Sequence, residues 1–310
     1  MQSFLTLSPE KQNTAVALGF FDGLHRGHRR VLSLAANEKS GGLVPVCFTF
    51  DESPKSVVTG EKIPSLMTRN DKLSELEKLG IEHVYLADFR ELVHLAPREF
   101  AEEVLFKKLR AKKLFCGFNY RFGRNAEGDT VLLESLCKQF GAELTVIPPE
   151  TEGDEIVSST LIKKLISDGE IERANSLLCS RFGFSSVIEH GKRLGRELGT
   201  PTINQPLSEG LIVPKFGVYA SIVTLENGES FCGVTNVGIK PTVGSKIPLW
   251  ETWMPDYNGG DIYGQTADVR LLAFIRPEKR FESLDALKNE IIKNSITAKE
   301  IYDRTALTKD

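Results

Sequence analysis

The sequence predicts two unlike folds in one chain: a parallel, doubly wound α/β sheet first, and an antiparallel barrel or sandwich behind it. Three observations predict this. Apolar runs alternate with helix-patterned stretches from Ala15 to about Leu178. From Phe184 to Ile275 the pattern changes to short β-type runs divided by Gly, Pro and Asn. The chain has 310 residues, a length that holds two domains more often than one.

In order, Ala15–Phe21 is an apolar run that reads as a buried strand, and Asp22-Gly23 is a turn signal. Residues 27–38 then read as a helix with Val31, Leu32, Leu34 and Ala35 on one side. Val44–Phe50 is a second buried strand ending in Asp51-Glu52-Ser53-Pro54. Arg69–Lys78 is helical and stopped by Gly80, and Ile81–Leu86 is a third strand. Pro97–Leu109 is a helix with Pro97 in its first turn. Lys113–Cys116 is a short strand that runs into Gly117–Gly123. Thr130–Phe140 is a helix and Glu143–Ile147 a strand. Two further helices, Leu161–Ser167 and Glu170–Leu178, close the first domain. The boundary falls within Cys179–Phe184, giving domains of residues 1–183 and 184–310. In the second domain Ser185–Glu189, Gly217–Thr224, Ser230–Val237 and Thr266–Phe274 read as strands. A last helix starts at the N-cap Ser283, with Leu284, Leu287, Ile291 and Ile292 on its apolar face.

Composition narrows the function classes. A net charge of −3 argues against nucleic-acid binding through a basic face. Residues 1–9 lack the basic-then-apolar order of a secretory signal, and no apolar run reaches the length of a membrane-spanning helix. Cys47, Cys116, Cys137, Cys179 and Cys232 are scattered, odd in number and form no CxxC. Free buried thiols in a reducing cytoplasm are the expectation.

The chemistry-bearing stretch of the first domain is Leu18–His28. A helix that begins beside His25 and His28 offers unpaired backbone N–H groups and partial positive charge to an anion. The two histidines are three residues apart, so on a helical turn they share a face. With no Cys or carboxylate cluster nearby, they point to a phosphate more than to a metal. Gly19, Phe21 and Gly27 are expected to line the same phosphate site, Gly27 by letting a ligand approach the backbone. A parallel sheet would bring three more segments near: Thr49–Pro54, Gly117–Gly123 and Ser158–Lys163. Asn119 and Arg121 lie beyond a strand end, where an amide and a guanidinium either read a nucleotide or hold the loop together. Ser158, Ser159 and Thr160 are either helix caps or phosphate donors.

Two stretches stand out in the second domain. Gly191-Lys192-Arg193-Leu194-Gly195, with Gly199 following, is either a glycine-and-cation loop that wraps phosphates or a Gly-rich turn with solvated cations. It is not a Walker A loop, since no GKS or GKT follows. Thr202 and Asn204 flank Ile203, so on a strand their oxygens point the same way and could hold Mg²⁺ with ATP phosphates. Glu251 is the one charge within Ile247–Pro255, either structurally paired or a general base. Trp253 and Tyr257 are either core or a wall for a flat ring.

Taken together, GFFDGLHRGH (19–28), CGFNYRFG (116–123), SSTLIKKLISDGEIERAN (158–175), GRELGTPTIN (195–204), PKFGVY (214–219), GVTNVGIKPTVG (233–244), ETWMPDYNGGDIYG (251–264) and FIRPEKRFESLDALKNEI (274–291) run in the order of one family. The chain resembles the bacterial bifunctional riboflavin kinase/FMN adenylyltransferases over almost its whole length. The resemblance implies a Rossmann-like nucleotidylyltransferase domain followed by a riboflavin kinase-type β-barrel with a terminal helix. It implies two ATP- and Mg²⁺-dependent reactions: riboflavin to FMN in the C-terminal domain, and FMN to FAD with release of pyrophosphate in the N-terminal one. It carries phosphate binding to His25, His28, Ser159, Thr160 and Asn119, metal and nucleotide binding to Thr202 and Asn204, and the catalytic carboxylate to Glu251. The partners implied are riboflavin, FMN and ATP, without nucleic acid or membrane, for a monomer or weak homo-oligomer. Three positions depart from the family pattern. Asp51-Glu52-Ser53-Pro54 stands for Asp-Pro-His-Pro, Lys163 for an Arg whose bidentate fork is lost, and Trp253 for His or Tyr. The alternative function is a riboflavin kinase whose impaired N-terminal half serves as a nucleotide- or flavin-binding regulatory module.

Overall fold

The structure, a computed structural model, describes residues 12–190, 200–239 and 247–307. Contacts divide the chain into two compact units. The first holds the described residues up to Pro64 together with Arg69–Ser159; the second holds Ser65–Thr68 and the described residues from Thr160 onward.

The first unit is built on five parallel strands in the order β3-β2-β1-β4-β5. They are β1 (Thr14–Leu18), β2 (Val44–Phe50), β3 (His83–Ala87), β4 (Ala111–Gly117) and β5 (Glu143–Ile147). β1 is buried at every position and β2 at all but Phe50, as expected of strands covered on both faces. Helices α1 (Arg26–Asn37), α2 (Pro54–Thr59), α3 (Arg69–Lys78), α4 (Phe89–Leu92), α5 (Pro97–Phe100) and α6 (Thr130–Phe140) connect them. Beyond β5, β6 (Thr151–Glu152) and β7 (Glu155–Ile156) form a short hairpin.

Several expected elements come out differently: β3 starts at His83 rather than Ile81, and β4 runs over Ala111–Gly117 rather than Lys113–Cys116. The first strand stops at Leu18 because Phe21 takes a φ of 53° and Gly23 one of 82°, which turn the chain out of the sheet. The helix expected over Pro97–Leu109 is α-helical only to Phe100 and continues as a π-helix over Ala101–Lys108.

α7 (Ser159–Asp168), whose first residue is the last of the first unit, and α8 (Ile171–Leu178) precede the six antiparallel strands of the second unit. α7 begins two residues earlier than the sequence predicts, so Ser159 and Thr160 are its first residues. The strands are β8 (Gly183–Val187), β9 (Thr202–Pro206), β10 (Gly217–Leu225), β11 (Ser230–Gly238), β12 (Leu249–Trp253) and β13 (Thr266–Arg276). Their order is β8-β13-β10-β11-β12-β9. Glu189 N–H donates to Asn204 O at 2.8 Å just beyond β8, joining the first strand to the last and closing a barrel. Trp250 fills the interior, edge-on to Phe184 at 4.8 Å. A chain of buried hydroxyls, Ser221–Thr235–Thr252, spans three neighbouring strands.

Gln205 is the polar clasp of this closure. Fully buried, it donates from Nε2 to Ser186 O at 3.0 Å and to Ala267 O at 2.8 Å. Gln205→Leu strands both carbonyls and is expected to lower barrel stability by about 1–3 kcal/mol, read as a drop in thermal midpoint.

The terminal helix α9 (Leu284–Leu307) starts where predicted, with Ala286 N–H donating to Ser283 Oγ at 3.1 Å. Its buried face differs. Leu284 and Ile292 are 61% and 43% exposed, whereas Asn294 and Ala298 are buried. Ala298, Ile301 and Tyr302 pack with Val218, Ala220, Cys232 and Val234. Arg276 on β13 fixes the rotation, pairing with Glu290 at 3.2 Å and donating to Asn294 Oδ1 at 3.3 Å. All five cysteines are free; Cys179, at the end of α8, is exposed and departs from the expectation of buried thiols. Among the described residues no helix is long and apolar enough to cross a membrane.

Candidate functional site

The histidine stretch lies where β1 hands over to α1, at the C-terminal end of the strand. β1 sits between β2 and β4, and its outgoing helix is the first crossover of the sheet, the place where doubly wound sheets open a crevice. His25 is not inside the helix but its N-cap, in extended conformation, and its Nδ1 accepts from His28 N–H at 3.4 Å. One of the helix's first N–H groups is therefore already engaged, contrary to the expectation that all are open. The two rings stack with centroids 3.6 Å apart and 19° between planes, so they share a face as predicted. Phe21 is buried and meets the His28 ring edge-on at 5.3 Å, so its ring supports the imidazole. Gly19 closes β1 with its N–H on Phe48 O at 3.2 Å. At Gly27 an added Cβ would make only ordinary contacts with the His25 ring and Glu150. Arg30 holds the Glu150 carboxylate at 2.7 Å and Arg26 lies 3.9 Å from Glu152.

Burial pushes the His25 imidazole down to about 4, against a smaller opposing pull from Asp22. Burial, then His25, then Lys72 push His28 well below the ordinary range. Both rings are neutral near pH 7, and what they offer an anion is N–H donors rather than fixed charge. His28 Nδ1 is buried without a hydrogen-bond partner. The unfolded chain protonates His25 near 6.5 and the folded chain only near 4. Folding is therefore weakened as pH falls through that window, by up to about 3 kcal/mol. The urea midpoint of the first unit is expected to be lower at about pH 5 than at about pH 7, and His25→Asn, which keeps a capping oxygen, should flatten that slope.

The other predicted residues are placed as follows. Ser159 donates from Oγ to Asp22 O at 2.9 Å, so this hydroxyl fastens the histidine turn. Thr160 is exposed, and Lys163 is half-buried on the next turn of α7. Asn119 and Arg121 stand exposed on the loop after β4, with Arg121 3.8 Å from Asp129. At the corner after β2, Arg69 pairs with Asp51 at 3.1 Å and Arg90 with Glu52 at 2.7 Å. Two ion pairs thus anchor the segment where the family pattern carries a histidine.

In the barrel, Glu251 pairs across β12 with Asn204 of β9 on one side and Asn236 of β11 on the other. Residues opposite one another in a ladder share a face, so two amides and a carboxylate form one row. Thr202 and Trp253 make the next row on that face. The alternate residues, Trp250 and Thr252, point into the barrel, so the Glu251 row is on its outside. Asn204 is 5% exposed and its Oδ1 has no hydrogen-bond partner. Glu251 is half-buried. Trp253 packs against the α9 cluster, and Tyr257 donates to Gly260 O at 3.0 Å with its ring edge-on to Phe231. Gly191, Lys192 and Gly195 lie outside the described residues. Among the described residues no group of three or more His, Cys, Asp or Glu could hold a metal ion.

Two residues of these sites escaped sequence reasoning. Asn236 alternates with apolar residues on β11 and reads as one polar position in a strand; only its register opposite Glu251 marks it. Lys72, in the polar run of α3, reads as solvated but is buried beside the histidine turn.

Comparison with known proteins covers both units. The family model for FAD synthetase matches residues 7–161, and that for riboflavin kinase matches residues 178–302. A protein of Escherichia coli K12 named bifunctional riboflavin kinase/FMN adenylyltransferase is 34% identical over 304 residues, covering 97% of this chain and 96% of its own. A Bacillus subtilis protein of the same name is 32% identical over 298 residues, covering 93% and 92%. A crystal structure described as a macrolide-efflux protein from Streptococcus pneumoniae superposes with a TM-score of 0.84 at 28% identity, covering 93% of this chain and 95% of that one.

Proposed function

The chain belongs to the bifunctional riboflavin kinase/FMN adenylyltransferase family, and from that membership we propose which residues carry each of its two reactions. It transfers phosphate from ATP to riboflavin, giving FMN and ADP, and adenylyl from ATP to FMN, giving FAD and pyrophosphate.

Phosphorylation belongs to the barrel. Glu251 accepts the proton of the ribityl 5′-hydroxyl as that oxygen bonds to the γ-phosphorus and the bond to ADP breaks. The observation that carries this reading is the row Asn204–Glu251–Asn236, a carboxylate fixed between two amides on three paired strands. Asn204 Oδ1, buried and unpartnered, and the Thr202 hydroxyl on the same face are hard oxygen donors of the kind Mg²⁺ takes. When bound there, Mg²⁺ neutralises phosphate charge and aligns the transferring group. Trp253 and Tyr257 are proposed to face the flavin, and Gly191, Lys192 and Gly195 to bind ATP phosphates.

Adenylyl transfer belongs to the first domain, residues 1–183. An FMN phosphate oxygen attacks the α-phosphorus and pyrophosphate leaves, so no protein base is required. His25 and His28 donate N–H groups to the oxygens on which charge builds. Asn119, Arg121, Thr160 and Lys163 are proposed to hold the nucleotide. Free thiols support a reducing, cytoplasmic setting.

Incubation with riboflavin, ATP and Mg²⁺, followed by chromatography of the flavins, tests the function. FMN is expected first, then FAD, with one ADP and one pyrophosphate for each FAD. FMN accumulating with no FAD would instead support the regulatory N-terminal half.

A further inference from the structure

We propose that α3 is a clamp on the histidine turn, and that Lys72, whose ammonium is buried against the Phe20 carbonyl, is a positioning residue for adenylyl transfer. The proposal rests on the reading of that turn as the adenylyl-transfer site.

The turn needs holding. Phe21, Gly23 and Leu24 all have positive φ, at 53°, 82° and 46°, and two of them carry side chains that disfavour it. Three of its carbonyls are gripped by side chains, two of them from distant parts of the sequence and one from the helix that follows. Phe20 O accepts from Lys72 Nζ at 3.0 Å and from Thr49 Oγ1 at 2.8 Å. Asp22 O accepts from Ser159, and Leu24 O from Arg29 Nε at 3.0 Å. Arg29 in turn is held by Glu75 at 2.9 Å. Lys72 and Glu75 are three residues apart on α3 and share a face. One helix face therefore fixes the turn at both ends, directly through Lys72 and by way of Arg29 through Glu75.

Lys72 is an unusual residue for that task. Lysine is rarely buried, yet this one is 8% exposed, with its ammonium also 4.5 Å from the Phe20 ring centroid. Burial weakens its hold on a proton; Asp22, Cys47 and Asp51 oppose that. A neutral residue could hold a carbonyl. A buried cation beside His28 also disfavours a second proton on that ring. The titratable groups acting on His28 are His25 on its own turn and Lys72 from α3; Asp22 acts on His25, and Glu150 with its partner Arg30 lies beside Gly27.

Lys72→Met keeps the length of the side chain and removes both the donor and the charge. Adenylylation of FMN by the full-length variant is expected to fall by about tenfold or more in kcat, with KM for ATP changed by no more than about threefold. Riboflavin phosphorylation in the same preparation should be unchanged, which reports the barrel, and a urea midpoint of the first unit close to the parent's reports that the unit holding Lys72 is folded. In NMR titration the His28 imidazole of the variant should protonate at higher pH than in the parent. FAD formation within about twofold of the parent would overturn the proposal, however His28 titrates. If K72M does not fold, Glu75→Ala carries the test of the clamp by removing the acceptor that holds Arg29 while leaving Lys72 in place. Slower FAD formation with phosphorylation kept supports the clamp, and unchanged FAD formation overturns it. A His28→Ala protein with full FAD formation would overturn the site itself; an inactive His28→Ala beside an active K72M would overturn only the role of Lys72.

Discussion

Glu251→Gln is expected to slow riboflavin phosphorylation by about 10²–10⁴-fold while conversion of added FMN to FAD continues at the parent rate. Glutamine keeps the shape of the side chain and one oxygen but cannot take a proton at neutral pH. Its backbone stays paired on both sides, since β12 lies between β9 and β11, so the substitution leaves the barrel standing. Asn204 and Asn236 remain to hold the same row. The loss should therefore appear in kcat far more than in KM, because what is removed acts on the proton in flight and not on the bound ground state. Initial rates of FMN formation from riboflavin, with FAD formation from FMN as the parallel reading, check it.

His28→Ala should produce the mirror image: adenylylation of FMN falls by about 10²–10³-fold and riboflavin phosphorylation is untouched. The substitution takes away an N–H donor, the ring that stacks on His25 at 3.6 Å, and the edge partner of Phe21. Because the ring is neutral in the resting protein, the donor and its placement count for more than a formal charge. His28→Gln, which restores an N–H of similar reach, should recover part of the loss. An alanine variant as fast as the parent would remove the histidine from the reaction.

Much of this was legible in the sequence. β2, α3, α6 and β5 begin and end where periodicity and the glycine stops place them, because each is a local pattern with a local terminator. Glu251 was legible as one charge in an uncharged run, and the histidine pair as a short spacing after a first strand. What local pattern does not carry is tertiary. β1 stops at Leu18 because the turn after it is held by Lys72, Thr49, Ser159 and Arg29, none of them within that strand. Asn236 joins the Glu251 row only through the register of β11 on β12. The face of α9 was misjudged because Arg276, on another strand, sets the helix rotation through Glu290 and Asn294. Nothing local marks Lys72 for the same reason: its burial is decided by the turn that packs against it.

That two independent centres act in one chain is tested most directly by giving riboflavin and ATP with Mg²⁺ to the two variants, apart and mixed. Alone, His28→Ala should stop at FMN, and Glu251→Gln should make almost no flavin nucleotide from riboflavin while still converting added FMN to FAD. Mixed, they should carry riboflavin through to FAD. Loss of both activities in either single variant, or a mixture that makes FMN but never FAD, would contradict the account.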